Sequence, residues 1–179
     1  MNIIGLAGWS GAGKTTLIKR LLPALVTRGV SVSTLKHAHH RFDVDHPGKD
    51  SFEHRLAGAR EVLVSSGQRW ALMHELRGAP EPSLAFLLDK LSPVDLVVIE
   101  GFKGDPHPKI EVHRLANGKP FLHPQDADIV AIATDSGEAF PGLERAALED
   151  AEAIADIALR HARPFAEIRS RLDATRERV

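Results

Sequence analysis

The sequence predicts an α/β fold built on a mostly parallel central sheet with flanking helices. Apolar runs of strand length alternate with amphipathic stretches from the first residues onwards, and this alternation is typical of parallel sheets with helical crossovers. A glycine-rich turn separates the first predicted strand from the first predicted helix. The segment DLVVIE, residues 95–100, is a continuous apolar run, which indicates a central strand covered on both faces.

The first part of the chain predicts a strand, a helix and a second strand. Residues 3–7 suit a buried strand, and residues 14–28 carry leucines near helical spacing. Gly29 is well placed to end that helix, and residues 30–36 (VSVSTLK) predict the second strand. A polar loop rich in histidine follows from residue 37 to residue 51, and it leads into a helix near residues 52–59.

The rest of the chain predicts a hairpin, three further strands and two helices. Two apolar runs flank a Ser-Gly pair, and this arrangement is typical of an antiparallel hairpin extension. Ser83 is a suitable cap for a helix that runs to residue 91. The hairpin strands are expected at residues 61–65 and 69–76, the sheet strands at 95–100, 110–113 and 129–134, and the last long helix at 146–161. Pro164 is expected to interrupt that helix, which divides the chain into a domain of residues 1–163 and an arginine-rich helical tail of residues 164–179.

The glycine-rich turn reads GWSGAGKT at residues 8–15 and matches the pattern G-x-x-x-x-G-K-[ST] without a mismatch. Its glycines let successive backbone N–H groups point at phosphate oxygens, and the next helix adds the positive end of its dipole. Lys14 would reach the β- and γ-phosphates, and the Thr15 hydroxyl would ligate magnesium. The turn therefore predicts a P-loop NTPase fold, with nucleotide-binding residues Gly8, Trp9, Ser10, Gly11, Ala12, Gly13, Lys14, Thr15 and Thr16. A dinucleotide fingerprint is excluded, because Thr16 stands where G-x-G-x-x-G requires its last glycine.

A carboxylate from another strand is expected to meet the same magnesium ion. Asp95 and Glu100 stand at opposite ends of DLVVIE, about 16 Å apart at ~3.3 Å per residue, so one ion cannot take both. Ligands of open parallel sheets lie at the carboxyl ends of the strands. Glu100 occupies that end, and we expect it to bind magnesium, directly or through water, or to orient an attacking water.

The segment HAHHRFDVDHPGKDS, residues 37–51, allows three interpretations. Its histidines suit a transition metal, its polarity suits a solvated loop, and its position suits a switch that contacts the γ-phosphate or a partner. No spacing here matches a helical zinc site. The neighbouring lysines and carboxylates favour the interpretation in which this loop contacts the γ-phosphate. Asp45 is the predicted water-positioning group.

Asp135 ends the strand VAIATD and is a candidate for reading the base. A carboxylate there accepts two hydrogen bonds from guanine N1 and N2, which adenine cannot supply. No N-K-x-D motif precedes it, so a plain turn residue is an equal alternative.

Composition limits the classes of function. The chain of 179 residues has a formal net charge of −1 and a pI of about 6.8. It therefore lacks the overall positive charge that is typical of nucleic-acid-binding proteins. It has no cysteine, which excludes disulfides, thiolate metal sites and a cysteine nucleophile. No signal peptide pattern and no run near the ~18 apolar residues of a membrane span occur, so we expect a soluble, cytoplasmic protein.

Taken together, these motifs resemble one family over residues 1 to about 160. The phosphate loop, LKHAHH at 35–40, DHPGKDS at 45–51, AGA at 57–59, VVIEGFK at 97–103, KIEVHR at 109–114 and VAIATD at 130–135 look like molybdopterin-guanine dinucleotide biosynthesis protein B. The resemblance implies a GTP-binding homodimer, and the phosphate loop itself predicts that Mg²⁺ accompanies the nucleotide. It also implies an adapter with weak GTPase activity, which helps a molybdenum cofactor guanylyltransferase to join GMP to molybdopterin.

Two other classes of function remain open at this point. A small-molecule kinase would use the same loop, with Asp43 or Asp45 holding the acceptor hydroxyl, although no arginine-rich lid segment is evident. A metallochaperone GTPase would use the histidine loop, and it predicts metal binding through His37, His39 and His40.

Overall fold

The computed structural model describes residues 1–38 and 42–176. Contacts group the chain into two compact units, Met1–His37 with Ser83–Val179, and Ala38–Pro82. The first unit contains a large sheet with helices on both faces, and the second contains a two-stranded sheet and one helix.

The large sheet is parallel except at one short strand. Its strands are Asn2–Ala7 (β1), Val32–Lys36 (β2), Leu96–Glu100 (β5), Lys109–His113 (β6), Ile129–Thr134 (β7), Glu144–Ala147 (β8) and Arg163–Pro164 (β9); β3 (Glu61–Ser65) and β4 (Trp70–His74) belong to the second unit. Among the described residues the strands follow the order β2-β5-β1-β6-β7-β8, all paired in parallel, and β9 pairs with β1 antiparallel. β1 and β5 are buried almost throughout, as expected of central strands covered on both faces.

Helices cover both faces of this sheet and enclose two apolar cores. Helices α1 (Lys14–Thr27) and α4 (Ala151–His161) pack on one face, where Ile4 and Leu6 point. Helices α3 (Leu84–Leu88) and α5 (Phe165–Arg176) pack on the other face. Because strand side chains alternate between faces, Ile3 of β1 joins this second core.

The parallel arrangement brings the ends of five strands to one edge. β1, β2, β5, β6 and β7 all run the same way, so the loops that follow them meet at the carboxyl edge of the sheet. In the register, both Leu6 of β1 and Lys36 of β2 pair with Glu100 of β5. The predicted fold class is therefore confirmed, and the phosphate loop lies at the edge where ligands bind in such sheets.

The long helix predicted at residues 146–161 is wrong in its first turn. Ala146 and Ala147 belong to β8, which extends the sheet beside β7. The helix begins only at Ala151, where the Asp150 side chain accepts a hydrogen bond from the Ala153 N–H. The Asp150 cap therefore sets the true start of α4.

Residues 165–176 of the arginine-rich tail form α5, which packs against the sheet. Phe165, Ile168 and Leu172 lie in the second core, while Arg169 makes two hydrogen bonds to Asp89, of 2.8 and 2.6 Å. The spacing of these three apolar residues gives α5 a buried face, and the boundary after residue 163 stays a prediction.

The second unit contains the predicted hairpin. β3 and β4 pair antiparallel, and α2 (Asp50–Leu56) packs on β3. Arg55 of α2 donates to Asp43, Asp45 and Glu75, which ties the loop before α2 to the segment after β4. A cavity of about 310 Å³ lies between this loop and the hairpin.

None of the helices described, over residues 1–38 and 42–176, is long and apolar enough to cross a membrane.

Candidate nucleotide-binding site

The phosphate loop joins β1 to α1 and has the shape that its sequence predicts. Gly8 has φ 154° and lies so close to β6 that a Cβ there would be 2.4 Å from the Val112 carbonyl oxygen. No other residue fits at this position. Gly13 caps α1 and has no side chain to satisfy the first N–H groups of the helix, which are therefore available to an anionic ligand.

Lys14 lies across the loop that it follows. Its Nζ donates to the carbonyl oxygens of Gly8, at 2.8 Å, and Trp9, at 3.0 Å. Burial lowers the pKa of Lys14, Glu100 opposes this shift, and Lys36 and Lys103 add to it. The loop thus concentrates positive charge where a polyphosphate would bring negative charge.

Thr15 and Glu100 converge as a magnesium site requires. The Thr15 hydroxyl lies 3.4 Å from Glu100 Oε1, although the two residues are 85 positions apart in sequence. A hydroxyl and a carboxylate beside bound phosphates are the ligands that Mg²⁺ takes in such proteins. Lys36 Nζ lies 3.3 Å from the same Glu100 oxygen, so an ammonium group already balances the charge of this carboxylate. The donor set fits the ion that the sequence predicts.

The loop after β5 is tightly held beside the phosphate loop. Gly101 has φ 94°, and a Cβ there would lie 2.7 Å from the His37 Cβ, so this turn requires glycine. The Phe102 ring lies 4.8 Å from the His37 ring, and the Lys103 ammonium lies 4.8 Å above the Trp9 ring. EGFK therefore forms one wall of the site.

A buried lysine holds the backbone that follows EGFK in place. Lys109 is 1% exposed, and its Nζ donates to the carbonyl oxygens of Lys103, at 3.1 Å, and Asp105, at 2.8 Å. Its charge is balanced by Asp126, at 2.9 Å. Beside it, burial first and Lys109 second lower the pKa of His107 to about 4, so His107 is neutral at pH 7.

The segment after β6 forms the opposite wall. Asn117 Nδ2 donates to the Ser10 carbonyl oxygen at 2.9 Å, and Trp9 Nε1 donates to the Pro120 carbonyl oxygen at 2.8 Å. Asp135, the predicted base-reading residue, lies at the same edge. One of its carboxylate oxygens accepts a hydrogen bond from the Leu115 N–H at 2.8 Å.

Asp45 lies in the second unit, where Arg55 holds its carboxylate. Arg55 Nε donates to Asp45 Oδ2 at 3.2 Å, and Arg55 Nη2 donates to Oδ1. This pairing with Arg55 lowers the pKa of the Asp45 carboxyl group. Asp45 is thus ionised at pH 7, and its role in positioning water stays a prediction.

The metal-site interpretation of the histidine loop falls mostly outside the described residues. His39 and His40 belong to the segment that the structure leaves undescribed. Over residues 1–38 and 42–176, no group of three or more histidine, aspartate or glutamate side chains is arranged to hold a metal ion.

Comparison with known proteins identifies the family. The family described as MobB, molybdopterin guanine dinucleotide synthesis protein B, matches residues 3–135. The chain belongs to the MobB family. Two molybdopterin-guanine dinucleotide biosynthesis adapter proteins are similar to it over 136 residues: that of Escherichia coli K12 is 46% identical, over 74% of this chain and 78% of the relative, and that of Haemophilus influenzae is 43% identical, over 74% of each.

Solved MobB structures share the fold. A crystal structure of molybdopterin-guanine biosynthesis protein B superposes with a TM-score of 0.69 at 28% identity, covering 88% of this chain and 98% of the other. Bacillus subtilis MobB superposes with a TM-score of 0.72 at 24% identity, covering 91% and 99%. The family resemblance seen in the sequence is confirmed.

Sequence reasoning missed one wall of the MobB-family site. Arg114, Asn117 and Pro120 all lie beside the phosphate loop, but no spacing in the sequence relates them to it. The available signal was KIEVHR at residues 109–114, where an arginine follows directly on a predicted strand. Strand ends in parallel sheets are where ligand-binding residues are found.

Proposed function

We propose that this MobB-family protein binds GTP with Mg²⁺ and acts as an adapter in the guanylylation of molybdopterin. The observation that carries this proposal is the convergence of Lys14, Thr15 and Glu100 at one phosphate loop. The names of the E. coli and H. influenzae relatives, which are biosynthesis adapter proteins, support the pathway. Its partners would then be a molybdenum cofactor guanylyltransferase and molybdopterin, and its location the cytoplasm.

Weak hydrolysis is part of this proposal. Lys14 and magnesium neutralise phosphate charge, and fast hydrolysis also needs a group that positions the attacking water. Asp45 is the group we propose for that role. Each of its oxygens accepts from Arg55, and a carboxylate has lone pairs left for water after two such bonds. Its ion pair with Arg55 lowers its basicity, and from so weak a base we expect slow hydrolysis.

The choice of GTP rests on Asp135. Asp135 directly follows β7, which pairs with the strand that leads into the 114–120 segment, and this position at the carboxyl edge of the sheet supports a role in reading the base. A carboxylate accepts hydrogen bonds from guanine N1 and N2, and adenine offers no such pair. We therefore expect a preference for guanine over adenine nucleotides.

A competition titration tests the proposal. Purified protein with Mg²⁺ is titrated with GTP against a fluorescent guanine nucleotide, and then with ATP. We expect GTP to compete at least ~10-fold better, a difference of about 1.4 kcal/mol. A preference for ATP, together with phosphorylation of a small acceptor, would instead favour the kinase class.

A homodimer is the assembly we propose, and the hairpin supports it. Leu63 pairs with Leu72 and Ser65 with Trp70 in the β3–β4 register, so these side chains share one face. Leu63 is 62% exposed, Trp70 68% and Leu72 49%. A face with three large exposed apolar side chains is typical of a protein–protein contact.

Charge on that face is expected to weaken the dimer. In Leu63→Glu, a carboxylate replaces an apolar contact, and we expect the dissociation constant measured by analytical ultracentrifugation to rise at least ~10-fold. Leu159→Glu is the matched control, because Leu159 is a 40% exposed leucine on α4. Equal dissociation constants for both variants would place the interface elsewhere.

A further inference from the structure

We propose that Arg114 is a phosphate-binding residue of this site and acts within the same chain as its nucleotide. It would donate hydrogen bonds to a phosphate oxygen of the nucleotide held by the loop. This inference rests on the proposed function, since it concerns the same nucleotide. It adds a cationic residue that the G-x-x-x-x-G-K-[ST] motif does not include.

The position of the Arg114 guanidinium is the first observation. Its Nη2 lies 3.5 Å and its Nε 3.8 Å from the point where a Cβ on Gly13 would stand. Gly13 caps α1 and immediately precedes Lys14. The first N–H groups of α1 are the donors that would hold a phosphate, so the guanidinium lies within reach of the same anion.

The sheet order explains how this side chain arrives there. β1 lies between β5 and β6, so the phosphate loop has a neighbour on each side. Glu100 and its magnesium site approach from β5, and Arg114 approaches from the end of β6. The phosphates would therefore have the metal on one flank and a fixed cation on the other.

The segment that carries Arg114 is anchored to the phosphate loop itself. Asn117 bonds to the Ser10 carbonyl oxygen, and Trp9 bonds to the Pro120 carbonyl oxygen. The Asp135 carboxylate holds the Leu115 N–H, one residue after Arg114. These three hydrogen bonds hold the backbone of the segment that follows Arg114 in place beside the phosphate loop. A preorganised arginine loses less conformational entropy when it binds a ligand.

Among the residues that the structure describes, Arg114 forms one long ion pair. Its guanidinium is 4.0 Å from Glu149, whose side chain is 62% exposed. An exposed ion pair at this distance contributes little. The planar guanidinium can therefore form paired hydrogen bonds to phosphate oxygens, the geometry for which arginine is best suited.

The test compares Arg114→Gln with wild type for binding of GDP, GTP and guanosine. We expect the variant to lose ~10- to 100-fold in affinity for GDP and GTP, the range for hydrogen bonds to charged groups. Guanosine affinity, followed by saturation-transfer NMR, is expected to stay unchanged, because guanosine carries no phosphate. Arg114→Lys keeps the charge without the paired geometry and is expected to be intermediate. Arg20→Gln, an exposed site on α1, is the control.

Each other outcome overturns the inference. Equal loss for guanosine and GDP would show that Arg114 only supports the structure, and an unchanged GDP affinity would show that it does not contact phosphate. If Arg114→Gln fails to fold, Arg114→Lys carries the test, and full affinity in that variant counts against paired hydrogen bonding. A wild-type protein that binds no nucleotide overturns the proposed function as well, so the two failures are distinguishable.

Discussion

Replacing Lys14 with alanine is expected to abolish GTP binding while the fold stays intact. Lys14 supplies the ammonium that reaches the β- and γ-phosphates in this loop pattern. In the structure this ammonium bonds instead to the carbonyl oxygens of Gly8 and Trp9, and it must turn from them to a ligand. We expect affinity to fall at least ~1,000-fold, about 4 kcal/mol, in a titration with a fluorescent guanine nucleotide.

The fold is expected to tolerate this change for a physical reason. Burial lowers the pKa of Lys14, so the folded protein already bears a cost for keeping the ammonium charged. Its two hydrogen bonds to the loop offset part of this cost, and the alanine variant loses both together. Lys19→Ala, at an exposed position of α1, is the matched control and should bind GTP normally. Normal GTP binding by Lys14→Ala would overturn the site assignment.

The phosphate loop could be predicted because its determinants are local. Its glycines, Lys14 and Thr15 act through backbone conformation and position within eight consecutive residues. Glu100 could also be predicted, because a continuous apolar run marks a central strand and its last residue must lie at the ligand-binding edge. Both inferences need only the sequence order of strand, turn and helix.

The β6 side of the site could not be predicted in the same way. Arg114 and Asn117 lie beside the phosphate loop because β6 pairs with β1, with Leu6 opposite Ile110. That pairing joins residues about a hundred positions apart, and nothing in the local pattern selects β6 as the neighbour. The position of Arg114 beside the phosphate loop could therefore be predicted only once the pairing of β6 with β1 was known.

Two elements show how packing overrides local pattern. β8 reads ERAA, and glutamate and alanine are depleted in strands, so no strand was expected there and the predicted helix began at Ala146. Its pairing with β7 supplies backbone hydrogen bonds that stabilise a strand at these residues. In α5, which the sequence predicted as an arginine-rich helical tail, Phe165, Ile168 and Leu172 form a buried face.

Replacing Glu100 with glutamine is expected to reduce the effect of magnesium on GTP affinity at least ~10-fold, because a carboxylate ligand of the ion is lost. Glutamine keeps the size of the side chain and can still accept a hydrogen bond from Thr15, but it brings no negative charge to a hard cation. The experiment measures the GTP dissociation constant in Mg²⁺ and in EDTA, for wild type and variant. The ratio of the two dissociation constants measures how much Mg²⁺ strengthens GTP binding.

The direction of each change follows from the charges at the site. In wild type, Glu100 balances Lys36 at 3.3 Å and lies beside Lys14. Without its charge, the lysines face the phosphates unopposed, so metal-free affinity for GTP is expected to rise or stay level while affinity in magnesium falls. Asp95→Asn is the control, since Asp95 lies at the other end of the strand and bonds to Ser31. Equal losses with and without metal would remove Glu100 from the magnesium site and leave it a neighbour that only shapes the loop.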